Sequence, residues 1–269
     1  MKALPRYAVL LVVAVVVAFP LLLTLSASFM SGGELSATPP HLLPSSPRLD
    51  NFGRVIASIP VVLFLINSTV QSLLITLGQL VTSCLAAYAF AFIPFPGKRW
   101  LFGLFLATMT IPFEATVIPN FLMVRDLGWL NSYQGLVIPF LATGFGTFLM
   151  RQAFLQLPKE LHEAASIEGC GRFGFLWRIV IPLSRPALGT LGVYAFLSAW
   201  NQFFWPLLVV NSQRMQTVQI GIAQLWDAEV TNYNLIMAGL TIILVPTITV
   251  VVVGQRQLIS GLTAGAVKA

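Results

Sequence analysis

The chain has 269 residues, of which 57% are hydrophobic and 9% charged, with a mean hydropathy of +0.85. Soluble domains carry about 25% charged residues, so a water-soluble fold is excluded. The long continuous apolar runs also exclude a membrane β-barrel, whose strands alternate. The net charge of +6 comes from few basic residues set beside apolar stretches, which fits membrane topology and not nucleic-acid binding.

A helix needs about 20 largely apolar residues to cross a bilayer. Six stretches qualify: 7–29, 63–92, 101–123, 134–154, 187–210 and 235–254. The chain is therefore read as an all-α membrane protein with six transmembrane helices, forming a single domain over 1–269. The first stretch follows Lys2 and Arg6 and ends in Ser26, Ala27 and Ser28, as a secretory signal would. Its apolar run exceeds the about 7–15 residues of a signal core, so it is expected to remain as a span. Segment 31–59 carries Pro39, Pro40, Pro44 and Pro47 and is expected to be an irregular surface loop. The second span is longer than the bilayer demands and should tilt.

In the third stretch Pro112 and Pro119 would break or kink the helix, freeing carbonyls that need partners. Glu114 is the only acidic residue in any of the six stretches. An intramembrane charge faces protein or water, so Glu114 either lines a polar pathway or is solvated near the outer interface. The next outer connection, 124–133, is short.

A hydrophilic loop, about 157–186, separates the fourth and fifth stretches. Leu157-Pro158 fits a helix start with Pro158 at the first helical position. Glu160 and Glu163 suit the opening turns, and Gly169 suits a left-handed C-cap. Leu161, Ala164, Ala165 and Glu168 recur at helical spacing and predict one small, mildly apolar face. A second short helix is expected over 172–181, stopped before Pro182. The residues alone allow two readings: an amphipathic segment on the lipid surface, anchored by Phe173, Phe175 and Trp177, or a docking helix for a cytoplasmic protein.

The fifth stretch contains Trp200-Asn201-Gln202-Phe203-Phe204-Trp205-Pro206. Flat aromatic faces and amides match the C–H faces and hydroxyl edges of sugars, although an aromatic belt at the outer interface has the same composition. On that second reading Pro206 simply ends the regular helix. The outer loop 211–234 then carries Gln216, Gln219, Gln224, Trp226, Asp227 and Glu229.

Lys and Arg fix the orientation. One face would hold Lys2, Arg6, Lys98, Arg99, Arg151, Lys159, Arg172, Arg178, Arg185, Arg256 and Lys268. The other would hold only Arg48, Arg54, Arg125 and Arg214; eleven plus four make the 15 of the chain. Both termini are then cytoplasmic. Cys84 lies in a predicted span and Cys170 in the loop, so no disulfide is expected. His41 and His162 fall on opposite faces, and no metal site is expected. A phosphate-bearing solute would want Arg or Lys in the pathway. None lies mid-span, which favours a neutral solute unless a partner supplies the charge.

Glu163-Ala164-Ala165, Gly169, Ile179 and Pro182 resemble the EAA loop of ABC-importer permeases, EAA-x3-G-x9-I-x-L-P, with every spacing kept. Ile181 stands at the leucine position, and Glu168 where Asp is commoner. Asn67-Ser68, Ile111-Pro112, Ile118-Pro119, the aromatic stretch 200–206 and the tail 261–268 resemble the shorter permease subunit of maltose-type carbohydrate importers. That group also includes glycerol-3-phosphate and glycerophosphodiester systems.

The resemblance implies a bacterial inner-membrane protein whose loop forms a coupling helix in a groove of an ATPase. Glu163 would make a polar or charged contact there, Ala164 and Ala165 would pack closely, Gly169 would make the turn, and Glu168 belongs to the same coupling set. It implies as partners a homologous second permease, two ATPase subunits and an extracytoplasmic solute-binding protein. ATP and Mg would be bound by the ATPase, since this chain has no G-x-x-x-x-G-K-[ST] loop and no cofactor of its own. Asn67, Glu114, Asn120, Trp200, Asn201 and Phe204 are the candidates for lining a solute pathway. The competing class is a self-contained secondary transporter, which usually shows inverted repeats and several intramembrane ionisable residues. A membrane enzyme would need a catalytic cluster that the distant histidines do not supply.

Overall fold

The structure, a computed structural model, describes residues 3–39, 41–228 and 232–263. Lys2, Pro40, Glu229 and the tail 264–269, with Lys268, lie outside the described residues. Among those described, every regular element is helical. Backbone contacts group the chain into two compact units, Met1–Ile66 with Thr217–Ile248, and Asn67–Gln216 with Thr249–Ala269.

The first unit begins with α1 (Ala3–Ser28), whose apolar residues are largely exposed, as a helix solvated by lipid allows. Beyond it the prolines predict loop, yet two helices form. The short α2 (Gly32–Leu35) is closed by a capping box between Ser31 and Glu34. The Glu34 carboxylate also accepts from the Ser45 amide and hydroxyl, and these bonds, the Ser45 hydroxyl foremost, hold its pKa down at about 2. Segment 31–59 is thus not wholly irregular: α3 (Asp50–Ser58) buries Asn51 and Val55. Asn51 Nδ2 donates to the carbonyls of Ser28 and Met30, and its Oδ1 accepts from Asn234 Nδ2 at 2.8 Å. Four residues after Pro47, one buried amide therefore ties three segments together, and tertiary partners override the loop signal. In the same unit α14 (Val218–Ala228) sits against the start of α4 (Val61–Phe92). A Cβ on Gly221 would lie 2.3 Å from the Phe64 ring, so a helix approach this close needs glycine there. The last long helix, α15 (Tyr233–Thr263), starts here.

The second unit holds the interrupted helices. Three helical stretches are long and apolar enough to cross a membrane: Tyr7–Ser28, Val61–Phe92 and Tyr233–Gln257. Three more qualify only as bent pairs. The predicted third span is α5 (Lys98–Ala107), a 3-10 turn and α6 (Phe113–Asp126), bent by 96° at Ile111-Pro112. Pro119 lies inside α6 without breaking it. The predicted fourth is α7 (Tyr133–Val137), a 3-10 turn and α8 (Gly144–Leu155), bent by 46°. The predicted fifth, 187–210, is not one helix. Its body is α12 (Arg185–Trp200), which meets the loop segment Arg172–Leu183 at 79°, and α13 (Phe204–Val209) follows after a break at 201–203. The break precedes Pro206, which lies within α13, so the proline does not end the helix.

Candidate functional site

The loop 157–186 folds as expected at its turn and differently at its faces. Its first helix, α9 (Lys159–Ile167), starts after Pro158, which is the N-cap and not the first helical residue. Gly169 takes a φ of +72°. Its N–H donates to Ser166 O at 3.2 Å and the Cys170 N–H to Ala165 O at 2.8 Å, the paired bonds of a Schellman cap. The following turn α10 (Arg172–Phe175) runs on through a π-helical stretch, Leu176–Val180, into α11 (Ile181–Leu183). The expected stop before Pro182 is absent. The wide π turn, with Ile181 N–H donating to Leu176 O, makes room for a ring that would strike a carbonyl in a regular helix.

The predicted face of Leu161, Ala164, Ala165 and Glu168 is split by packing. Ala165 is buried in this chain's own core, beside Tyr88, Phe154, Phe175 and Leu191. His162 stacks on Phe92, centroids 6.0 Å apart with the planes 7° from parallel, and meets Phe175 edge-on at 4.9 Å. Phe92 and Phe175 are themselves T-shaped at 5.3 Å, and Tyr88 Oη donates to Arg172 O at 3.0 Å. These contacts seat α9 on the end of α4 and on α10. The opposite side presents Glu163, Ala164 and Glu168 to solvent, with Ile167 88% exposed.

The second geometric feature is a cavity of about 240 Å³ lined by Phe113, Phe140, Gln202, Phe203, Phe204 and Trp205. Each of the three broken stretches contributes at its interruption: Phe113 just after Pro112, Phe140 just before the 141–143 break, and residues 202–205 across the last break. Trp205, 1% exposed, forms the back wall, edge-on to Phe113 and Phe140 at 6.3 and 5.7 Å. Its Nε1 donates to Gly135 O at 2.9 Å. Gln202 Oε1 accepts from Gln71 Nε2 at 2.8 Å.

Residues 79–263 match the family described as binding-protein-dependent transport system inner membrane component. The chain belongs to that family. It is a permease component of an ABC importer, embedded in the membrane. The sn-glycerol-3-phosphate transport system permease protein UgpE of Brucella abortus (strain 2308) is 35% identical over 263 residues, covering 94% of this chain and 93% of that protein. Its counterpart in Yersinia enterocolitica is 34% identical over 264 residues, 95% and 94% of the two chains. Among solved structures, a bacterial ABC transporter involved in the import of the acidic polysaccharide alginate superposes with a TM-score of 0.83 at 25% identity, over 95% of each chain. A bacterial alginate ABC transporter in complex with an alginate pentasaccharide-bound periplasmic protein has a TM-score of 0.67 at 16% identity, over 95% of this chain and 94% of that one, and speaks to fold alone.

In this permease the sequence-derived pathway candidates do not form one cluster. Phe204, half-exposed, lines the aromatic cavity. Glu114 is exposed in the first turn of α6, beside Phe113, where the helix dipole favours a carboxylate. Asn120 is half-buried on the same helix. Asn201 is exposed at the end of α12, its Nδ2 donating to Leu197 O. Trp200 is buried, stacked on Phe196, and does not line the cavity. Asn67 is also buried: its Nδ2 donates to the carbonyls of Arg214 and Gln216, and its Oδ1 accepts from Tyr133 Oη. Phe113, Phe140 and Gln202 were not among the candidates. Pro112 signals the first of these, and Pro139, directly before Phe140, is the same signal in the next stretch. Among the described residues no cluster of three or more His, Cys, Asp or Glu could hold a metal.

Proposed function

We propose that this chain is one of two homologous permease subunits of an importer that takes a small sugar or glycerol-phosphate-type solute into the cytoplasm, driven by a separate pair of ATPases. The observation that carries this is the division of α9. One side is locked onto the end of α4 and onto α10 through His162, Phe92, Phe175 and Ala165, while Glu163, Ala164, Ile167 and Glu168 stand outward. A push on the outward side is transmitted to α4 through Phe92, and through Phe175 to the loop segment that leads into α12, by aromatic contacts each worth about 0.5–1.5 kcal/mol beyond its buried area. ATP and Mg would be bound by the ATPases, and a solute-binding protein would deliver cargo on the opposite face. Nucleotide-driven closure would then rock the spans between inward- and outward-facing states. Six spans with both termini cytoplasmic agree with the eleven-to-four distribution of basic residues.

The aromatic cavity supports the solute class. Its about 240 Å³ falls below the about 300–1,000 Å³ of drug-sized pockets, and rings with one amide suit a polyol. The glycerol-phosphate reading is favoured by the UgpE relatives; no Lys or Arg lines the cavity, so the phosphate charge would be met by the second permease.

The test is reconstitution with the genetically linked subunits in vesicles. Uptake should require ATP and the binding protein, and Ile167→Glu should uncouple ATP hydrolysis from uptake with the subunit still inserted. Transport by this chain alone would establish a secondary transporter instead. Competition for the binding protein between sn-glycerol 3-phosphate and neutral glycosides decides the solute.

A further inference from the structure

Three cavities in the second unit share walls at the coupling-loop end, and we propose that together they bind one anionic phospholipid of that leaflet. The largest, about 610 Å³, is an open groove between α4, α12 and α15, with Leu73, Leu80, Val193, Phe196 and Val253 among its walls. It reaches Gln257, which also lines a cavity of about 360 Å³ with Arg185, Pro186 and Arg256. A third, about 300 Å³ and apolar, runs beside Leu176 and Trp177 and shares Leu80 and Leu188 with the first. Two apolar grooves with a common wall, one of them opening into a doubly basic pocket, have the outline of a two-chain amphiphile with a negative headgroup.

The charge pattern supports that occupant. Arg185 opens α12, and Arg256 sits at the end of the apolar stretch Tyr233–Gln257. Both are exposed, and neither α12 nor α15 contains an Asp or Glu. Among the described residues the ion pair found is Arg125 with Asp126, and neither guanidinium has a carboxylate partner among those residues. Basic pockets between membrane helices, at the level of the headgroups, are where anionic lipids bind, and arginine matches phosphate with a bidentate fork.

The helix segments that carry the two arginines are also held together. A Cβ on Gly189 would lie 2.4 Å from Gln257 Cγ, one on Gly254 would lie 2.3 Å from Val193, and Thr190 Oγ1 donates to Gln257 O at 2.7 Å. The α12–α15 contact is therefore close and preformed. Gly192 differs: a Cβ there meets only Leu80, at 3.9 Å, so a larger side chain would fill the groove without moving its walls. A soluble phosphate ester would use the arginines and leave the apolar grooves without a role. A lipid uses all three.

The assembled transporter, with its other subunits, is purified into nanodiscs of mixed phosphatidylglycerol and phosphatidylethanolamine, and the retained lipid is counted by mass spectrometry. Wild type should keep phosphatidylglycerol above its bulk ratio. Arg185→Gln with Arg256→Gln should lower that affinity about twenty-fivefold, two basic contacts at about fivefold each. Arg185→Lys with Arg256→Lys should retain most of it, and Gly192→Phe should displace the lipid with both arginines intact. Retention at the bulk ratio in wild type overturns the proposal. So does unchanged retention in both the double glutamine variant and Gly192→Phe. Displacement by millimolar sn-glycerol 3-phosphate would overturn it in favour of a soluble-phosphate site. A failed reconstitution of uptake leaves these lipid counts unaffected.

Discussion

Gly169 offers the sharpest test of the coupling loop because its surroundings separate backbone strain from packing. Nothing lies within 4 Å of where its Cβ would be, so a side chain meets open space in this chain. The penalty for Gly169→Val is then conformational: a φ of +72° costs an L-residue about 1–2 kcal/mol, with β-branching at the upper end. Relief requires the chain to leave the left-handed region, which breaks the Gly169-to-Ser166 and Cys170-to-Ala165 bonds and frees the end of α9. The ratio of capped to frayed loop should fall about 5–30-fold. In vesicles, uptake per ATP hydrolysed should fall steeply in Gly169→Val while membrane insertion is unchanged. Gly169→Asn should keep most activity, because Asn tolerates this conformation, and Gly169→Ala should lie between. If Asn proved as damaging as Val, bulk at the partner surface would be the cause and the backbone argument would fail. Wild-type coupling in the Val variant would remove the loop's mechanical role altogether.

Adjacent alanines should behave oppositely. Ala165→Leu overpacks the core and should destabilise the permease by about 1–3 kcal/mol, read as a lowered thermal midpoint, whereas Ala164→Leu should leave that midpoint unchanged and reduce co-purifying ATPase; equal midpoints would show that the faces are misassigned. Asn67→Ala strands the carbonyls of Arg214 and Gln216 and the Tyr133 hydroxyl, at about 1–3 kcal/mol, and should make segment 211–217 sensitive to protease. Glu34 is ionised down to about pH 2 in the folded loop against an ordinary 4.5, so its bonds to Ser31 and Ser45 persist above about pH 4.5 and are lost only as pH falls towards 2. Hydrogen exchange at the Ser31 and Ser45 amides, corrected for intrinsic rate, should stay protected from pH 7 to 4 in wild type and lose protection in Glu34→Gln; loss at pH 4.5 in wild type would contradict the carboxylate assignment.

Sequence alone determined the helical membrane class, the approximate apolar stretches, the turn at Gly169 and the break at Pro112, because each rests on local chemistry: hydropathy over a bilayer's length, a residue without Cβ, a residue without N–H. Long-range packing decided the rest. Ala164 and Ala165 are chemically identical and adjacent, and only the aromatic seat of Phe92, His162 and Phe175 determines which one is buried. The break at 201–203 comes before Pro206, which lies inside the helix that follows. Trp205 is drawn to the Gly135 carbonyl and into the Phe113–Phe140 wall, partners about 70–90 residues away in the chain. No window of sequence contains both ends of such a contact. The cavity built at the three interruptions therefore emerges only when the chain is folded.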